Sequence, residues 1–252
     1  MTEDRYARYG AATGIAFVVL LVVAFIVMTE PPALDAPADE FALYFADHQD
    51  GINTGVVLGT LALLAFIWFA GTLVSALRLA AGSPRVPTIA FGGAILAAAA
   101  LFIGLTAVAV AAHRPAEVSP EVTRALYDTF VLSGVPAIAG LGALFGATAL
   151  AILRTDLLPA WLGWMSAVTA VLQLLGFGML YTDTGAFAGD GALGVFLPFL
   201  AGLATILALS IVLIQTVDEL NRKLGLTDRV RGAVTGAAAG AQAGATGKRP
   251  PG

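Results

Sequence analysis

Three side chains stand out as candidates for contact with a ligand: Gln173, Asp128 and Arg124. Gln173 is the only carboxamide or ionisable side chain near the middle of any of the chain's long apolar runs. An amide offers two donors and an acceptor, and in a hydrocarbon environment it must find a partner. One partner is a neighbouring helix, through a hydrogen bond worth roughly 0.6 kcal/mol on average. The other is a polar group of a substrate held in a cavity. Arg124 and Asp128 are four residues apart, so a helix brings them to one face, together with Glu121. At the end of an apolar run they predict either an ion pair of modest energy in a wet zone or a charge relay at a cavity mouth.

Other chemistries lack their residues. The chain has no cysteine, which removes thiolate nucleophiles, disulfides and thiolate metal sites. Ser133-Gly134 is preceded two positions earlier by Val131, so the Gly-x-Ser-x-Gly elbow is missing. His48 and His113 are the only histidines and both are predicted on the outer side, away from the middle of any span. With Asp47, Asp50 or Glu117 they show no metal-ligand spacing, and neither is placed to hold haem at span depth. A proton or ion pathway calls for ionisable groups deep in the membrane, and no Gly-rich phosphate loop precedes a lysine. The expectation is a protein without a catalytic site, metal or cofactor.

The elements that must position these residues follow from composition. Apolar residues make up 58% of the 252 and charged residues only 12%. Several uncharged runs exceed the roughly 18 residues that let a helix cross a bilayer. They are continuous rather than alternating, which predicts an all-α polytopic membrane protein, a six-transmembrane-helix bundle, and excludes a barrel. The predicted order is a cytoplasmic N-terminus over residues 1–9, a six-helix domain over 10–220 and a disordered cytoplasmic tail over 221–252, rich in Gly, Ala and Thr. The first apolar run resembles a secretory signal, but its Ala36-Pro37-Ala38 lies too far downstream to be a cleavage site, so it is read as a retained helix. The spans run over 10–28, 56–77, 87–112, 120–154, 161–181 and 192–215. The fourth would be about 50 Å long at 1.5 Å per residue, so its first turns must project from the membrane, or it must tilt or kink at Pro136.

Orientation comes from the stretch Glu30–Asp50, which holds six carboxylates and no lysine or arginine. Cytoplasmic loops collect lysine and arginine, so this loop is placed outside. The inner side then carries 11 of the lysines and arginines and the outer side only Arg114 and Arg124. Both termini are predicted in the cytoplasm and the protein in the plasma membrane. Within the loop, Phe41, Tyr44, Phe45 and His48 recur at i, i+3, i+4 and i+7, the pattern of a short amphipathic helix that caps the bundle or acts as a lid. The expected partner is the lipid bilayer and not nucleic acid. The small-residue pairs Gly55/Gly59 and Gly142/Gly146 suit close helix packing, within the chain, in a homo-oligomer or against a membrane partner.

The stretch Arg154-Thr-Asp-Leu-Leu-Pro-Ala-Trp-Leu-Gly-Trp164 adds a resemblance. A basic residue closing a span, followed by Leu-Pro-x-x-Leu-Gly opening the next, is similar to an uncharacterised bacterial six-helix integral membrane protein family, catalogued as a domain of unknown function. The resemblance spans residues 10 to 215 and implies a fold and a location, with no site residue carried over. The sequence therefore predicts a multi-pass protein acting as an interaction, accessory or sensing component. The alternative is a binder or transporter of small apolar or cationic molecules, with Gln173 inside and Asp128 near the mouth.

Overall fold

The computed structural model describes residues 3–81, 84–155, 158–182, 185–187 and 191–223. The tail expected to be disordered lies, beyond Lys223, outside the described residues, as do Asp183 and Asp190. The described residues form an all-α structure of seven α-helices, with no strand among them: α1 (Glu3–Met28), α2 (Ala38–Asp47), α3 (Gln49–Ala81), α4 (Arg85–His113), α5 (Pro120–Leu153), α6 (Ala160–Leu175) and α7 (Leu197–Lys223). Six helices are long and apolar enough to cross a membrane, and only α2 is not. The chain is thus a multi-pass α-helical membrane protein, and its exposed large apolar side chains, among them Ile26, Phe102 and Trp164, suit a lipid surround.

The spanning helices close into a ring. Each packs on two neighbours in the order α1, α3, α4, α5, α6, α7 and back to α1. One end carries α2 and is called the cap end; the other carries the α3–α4 and α5–α6 turns and is called the hairpin end. Towards the hairpin end the ring is filled by fully buried Phe69, Leu73, Leu77, Phe145, Leu162 and Leu209. The backbones of α4 and α5 approach closely. A Cβ placed on Gly93 would lie 2.5 Å from the Gly140 carbonyl oxygen, and one on Gly140 the same distance from that of Gly93. Gly142 and Gly146, singled out by their spacing, make only ordinary contacts with α6, the nearest atom lying 3.5 Å from a Cβ at Gly142 and 3.8 Å at Gly146.

The 34 residues of α5 exceed a membrane's thickness, and the excess is used at the cap end. Ser119 takes the N-cap position and Pro120 the first helical position, as their types predict. The first two turns then form a platform for α2. Phe41 and Phe45 of α2 are buried, and the Phe41 ring lies 5.0 Å from that of Tyr127. Tyr44 donates its hydroxyl to the Met28 carbonyl at 2.5 Å, tying α2 to the end of α1. His48 stays beside Tyr44, their rings 5.0 Å apart, but α2 ends at Asp47 and His48 is its exposed C-cap.

Helix α6 solves the opposite problem. Its 16 residues would span only about 24 Å at 1.5 Å each. Gly176–Leu180 continues it as a 3-10 turn, whose rise of about 2 Å per residue brings the total to about 34 Å. Opposite it, Ala192–Phe196 forms a π turn leading into α7. Its first N–H groups are satisfied by the Ala186 carbonyl, which accepts from Leu193 at 2.7 Å and Gly194 at 3.1 Å.

Candidate functional site

The ring is filled at the hairpin end and hollow towards the cap end. All six spans contribute to a cavity of about 590 Å³, within the range of sites for small organic ligands. Its deep end is closed by Phe17 and Phe66, whose rings stand 5.1 Å apart, and by Ile206. Its cap end is roofed by Glu30, Pro31, Pro32, Ala33 and Leu34. The walls are almost wholly apolar. Glycines at 55, 59, 134, 194 and 202 supply wall with no side chain to fill the space. Gly134 faces open space, with no atom within 4 Å of where its Cβ would lie.

Gln173 lines this cavity and is buried. Its Nε2 donates to the Pro198 carbonyl of α7 at 2.8 Å. One amide hydrogen is thus committed between helices, and the residue also forms part of the cavity wall. Gly202, one turn along α7, makes room for it; a Cβ there would lie 3.3 Å from Gln173 Nε2. Gln173 is also the last of three polar residues on one face of α6. Ser166 bonds back to the Leu162 carbonyl at 2.8 Å, and Thr169 shares a 2.7 Å hydrogen bond with Thr205 of α7. The spacing 166, 169, 173 in an otherwise apolar run marks this face in the sequence; only its last member was singled out there.

Arg124 and Asp128 do not form the predicted ion pair. The Arg124 guanidinium turns to the roof loop, donating to the carbonyl of Leu34 at 3.0 Å and to that of Ala36, and it stacks 5.7 Å above the Phe41 ring. A planar guanidinium with several donors meets two carbonyls and a ring face at once, whereas a single carboxylate would leave both carbonyls unmet. Asp128 is half-buried on the neighbouring turn, and it is Tyr127 that lines the cavity. Arg124 therefore holds the cavity's roof without touching the cavity, and Asp128 is outside it.

The loop under α2 starts at Thr29, which has φ 59°, a left-handed conformation that is uncommon for a β-branched residue. Its hydroxyl bonds the Met28 carbonyl at 2.6 Å, the same oxygen that Tyr44 reaches. Burial pushes the Tyr44 phenol above its ordinary range, and the Thr29 hydroxyl beside it acts in the opposite direction. Near by, a smaller cleft of about 330 Å³ includes Asp47, His48 and Asp50. Among the described residues no three His, Asp or Glu side chains are grouped to hold a metal ion.

No protein-family model matches the chain, and neither a curated protein nor a solved structure matches it significantly. The resemblance to the uncharacterised six-helix family is therefore neither supported nor opposed by these comparisons, and the reading of the site rests on its geometry.

Proposed function

We propose that the protein is a non-catalytic, multi-pass component of a bacterial plasma membrane that binds a small apolar molecule in the ring cavity, in a sensing or accessory role. The observation that carries this reading is the cavity itself: about 590 Å³ of apolar space walled by all six spans. A hollow of this size in an otherwise close-packed interior forgoes dispersion contacts that an apolar guest would restore. The packed layer beneath Phe17, Phe66 and Ile206 favours binding over passage to the far side. The excess of arginine and lysine at the hairpin end and beyond α7, against the carboxylates at the cap end, supports a cytoplasmic hairpin end and cytoplasmic termini.

The test uses a glycine that leaves space. Gly134→Leu projects into open cavity, and removing a helical glycine favours the helix by up to about 1 kcal/mol. The variant is expected to fold at least as stably as the wild type and to lose the apolar molecules that wild-type protein carries in native mass spectrometry from detergent. Equal ligand loads in both proteins would refute binding in the cavity.

A further inference from the structure

The cavity wall is thinnest at one seam. Among the described cavity-lining residues of the six spans, only Phe25 and Val195 are exposed, at 48% and 39%; the others are buried or half-buried. Phe25 belongs to the seam between α1 and α7, and Val195 to the turn that leads into α7. Deeper in the membrane these helices are locked together: a Cβ on Gly14 would lie 2.0 Å from Ser210 Oγ. The helices run antiparallel, so each step up α1 matches a step back along α7 from that contact. Eleven residues on, this register sets Phe25 opposite Phe199, and their rings meet edge to face at 5.3 Å. Both also line the cavity.

The neighbours of the seam pull its two sides apart. Towards the cap end, α1 is drawn to α3, where Cβ atoms on Gly51 and Gly55 would lie 2.8 Å from the Val27 carbonyl and 2.2 Å from Met28 Cγ. The start of α7 is drawn to α6 through the Gln173–Pro198 bond and through Gly176, whose Cβ would lie 3.0 Å from the Gly194 carbonyl. Two phenylalanine rings fill the gap. Ring contacts of this kind contribute about 0.5–1.5 kcal/mol beyond their burial, and side chains change rotamer far faster than helices move. The roof is a poorer way in, because Arg124 holds it by two carbonyls and the Tyr44–Met28 bond anchors α2 beside it.

We infer that the α1–α7 seam is a lateral portal, gated by Phe25 and Phe199, through which the acyl chain of a bilayer lipid enters the cavity. This rests on the proposed binding function and names its ligand class. The seam lies within two membrane spans, so what meets its outer face is hydrocarbon. From Phe25 down to Phe17 the cavity offers about 12 Å of helix rise for a chain, with almost wholly apolar walls. The headgroup stays outside the seam at the cap end.

The chain has no cysteine, so Phe25→Cys with Phe199→Cys supplies two unique thiols that a short bifunctional thiol reagent can join. The cross-link is closed in detergent, and the protein is then reconstituted in phosphatidylcholine nanodiscs doped with a phosphatidylcholine bearing a diazirine in its acyl chain. Photolysis and peptide mapping are expected to place adducts on interior Leu21 and Leu203 in the wild type and in the open double variant. Cross-linked protein should lose at least tenfold of that labelling while keeping adducts on lipid-facing Ile26. Phe25→Ala with Phe199→Ala should label the interior faster than wild type. Interior labelling that survives the cross-link would overturn the portal and leave cavity binding standing. Absence of interior adducts from every form would overturn the lipid as occupant, whereas failure of the binding function itself reads out separately, in the ligand load of Gly134→Leu.

Discussion

Gly93 of α4 and Gly140 of α5 meet backbone to backbone, the carbonyl oxygen of each lying 2.5 Å from where the other's Cβ would be. This contact fixes the tightest pair in the ring, and Ala94, Ala97 and Ala137 around it are buried small residues that allow the same approach. Gly140→Leu is expected to lower stability by about 1–3 kcal/mol, the range for overpacking a close-packed site, or to prevent assembly of the pair. Gly146→Ala, whose Cβ has 3.8 Å of room, should be neutral or stabilising. Thermal unfolding of both variants in one detergent checks the contrast; equal effects would refute the assigned contact.

Gln173 joins α6 to α7 through one hydrogen bond. Gln173→Leu removes that bond and replaces the amide by an apolar group of similar size, so the loss is expected to be about 1 kcal/mol, with the fold retained. The apolar ligand load should persist, since the rest of the lining is unchanged. A variant that stays as stable as wild type yet loses its ligands would assign Gln173 to ligand recognition instead of helix pairing.

Much of the fold is legible in the sequence because bilayer crossing imposes a coarse and strong signal. Long uncharged runs predict six spans, Ser119-Pro120 predicts the start of α5, and the Phe41/Phe45 spacing predicts α2 and its buried face; each is present. What the sequence hides is which small residues meet. Gly55 and Gly59 have the familiar four-residue spacing and do pack closely, against Met28 of α1 and Leu105 of α4, whereas Gly142 and Gly146 have the same spacing and do not, and Gly93 and Gly140 meet without it, because helix rotation in the ring, not spacing alone, decides which face turns inwards. The same holds at the site. Gln173 is conspicuous as a lone amide, but the cavity is made of apolar side chains and glycines that resemble any other span. Arg124 and Asp128 satisfy the rule for an i,i+4 pair, and the loop carbonyls that outcompete Asp128 are about ninety residues away in sequence.

Arg124 offers a direct test of that competition. Arg124→Lys keeps the charge but cannot span two carbonyls and a ring face, so it is expected to loosen the roof loop, with faster hydrogen exchange over residues 30–37. Asp128→Asn should leave exchange there unchanged, and a double-mutant cycle between the two positions should give a coupling below about 0.5 kcal/mol. A larger coupling would restore the ion pair.

Tyr44 makes the attachment of α2 dependent on pH. Its neutral phenol donates to the Met28 carbonyl, and burial raises its pKa above the ordinary tyrosine range. A group whose folded pKa lies above its unfolded value contributes stability that is fully present below the unfolded pKa and is lost as pH rises through the folded one. The cap is therefore expected to be unaffected by Tyr44 ionisation at neutral pH and to loosen only above the ordinary range for tyrosine, when the phenolate can no longer donate. Tyr44→Phe should cost about 1 kcal/mol at neutral pH through the lost hydrogen bond and should remove this alkaline contribution. The phenolate absorbance of wild type minus that of Tyr44→Phe isolates the titration of this one residue. A transition at or below the ordinary tyrosine range would show that Tyr44 is not held neutral by burial, and the hydrogen bond to Met28 could then not be what ties α2 to α1.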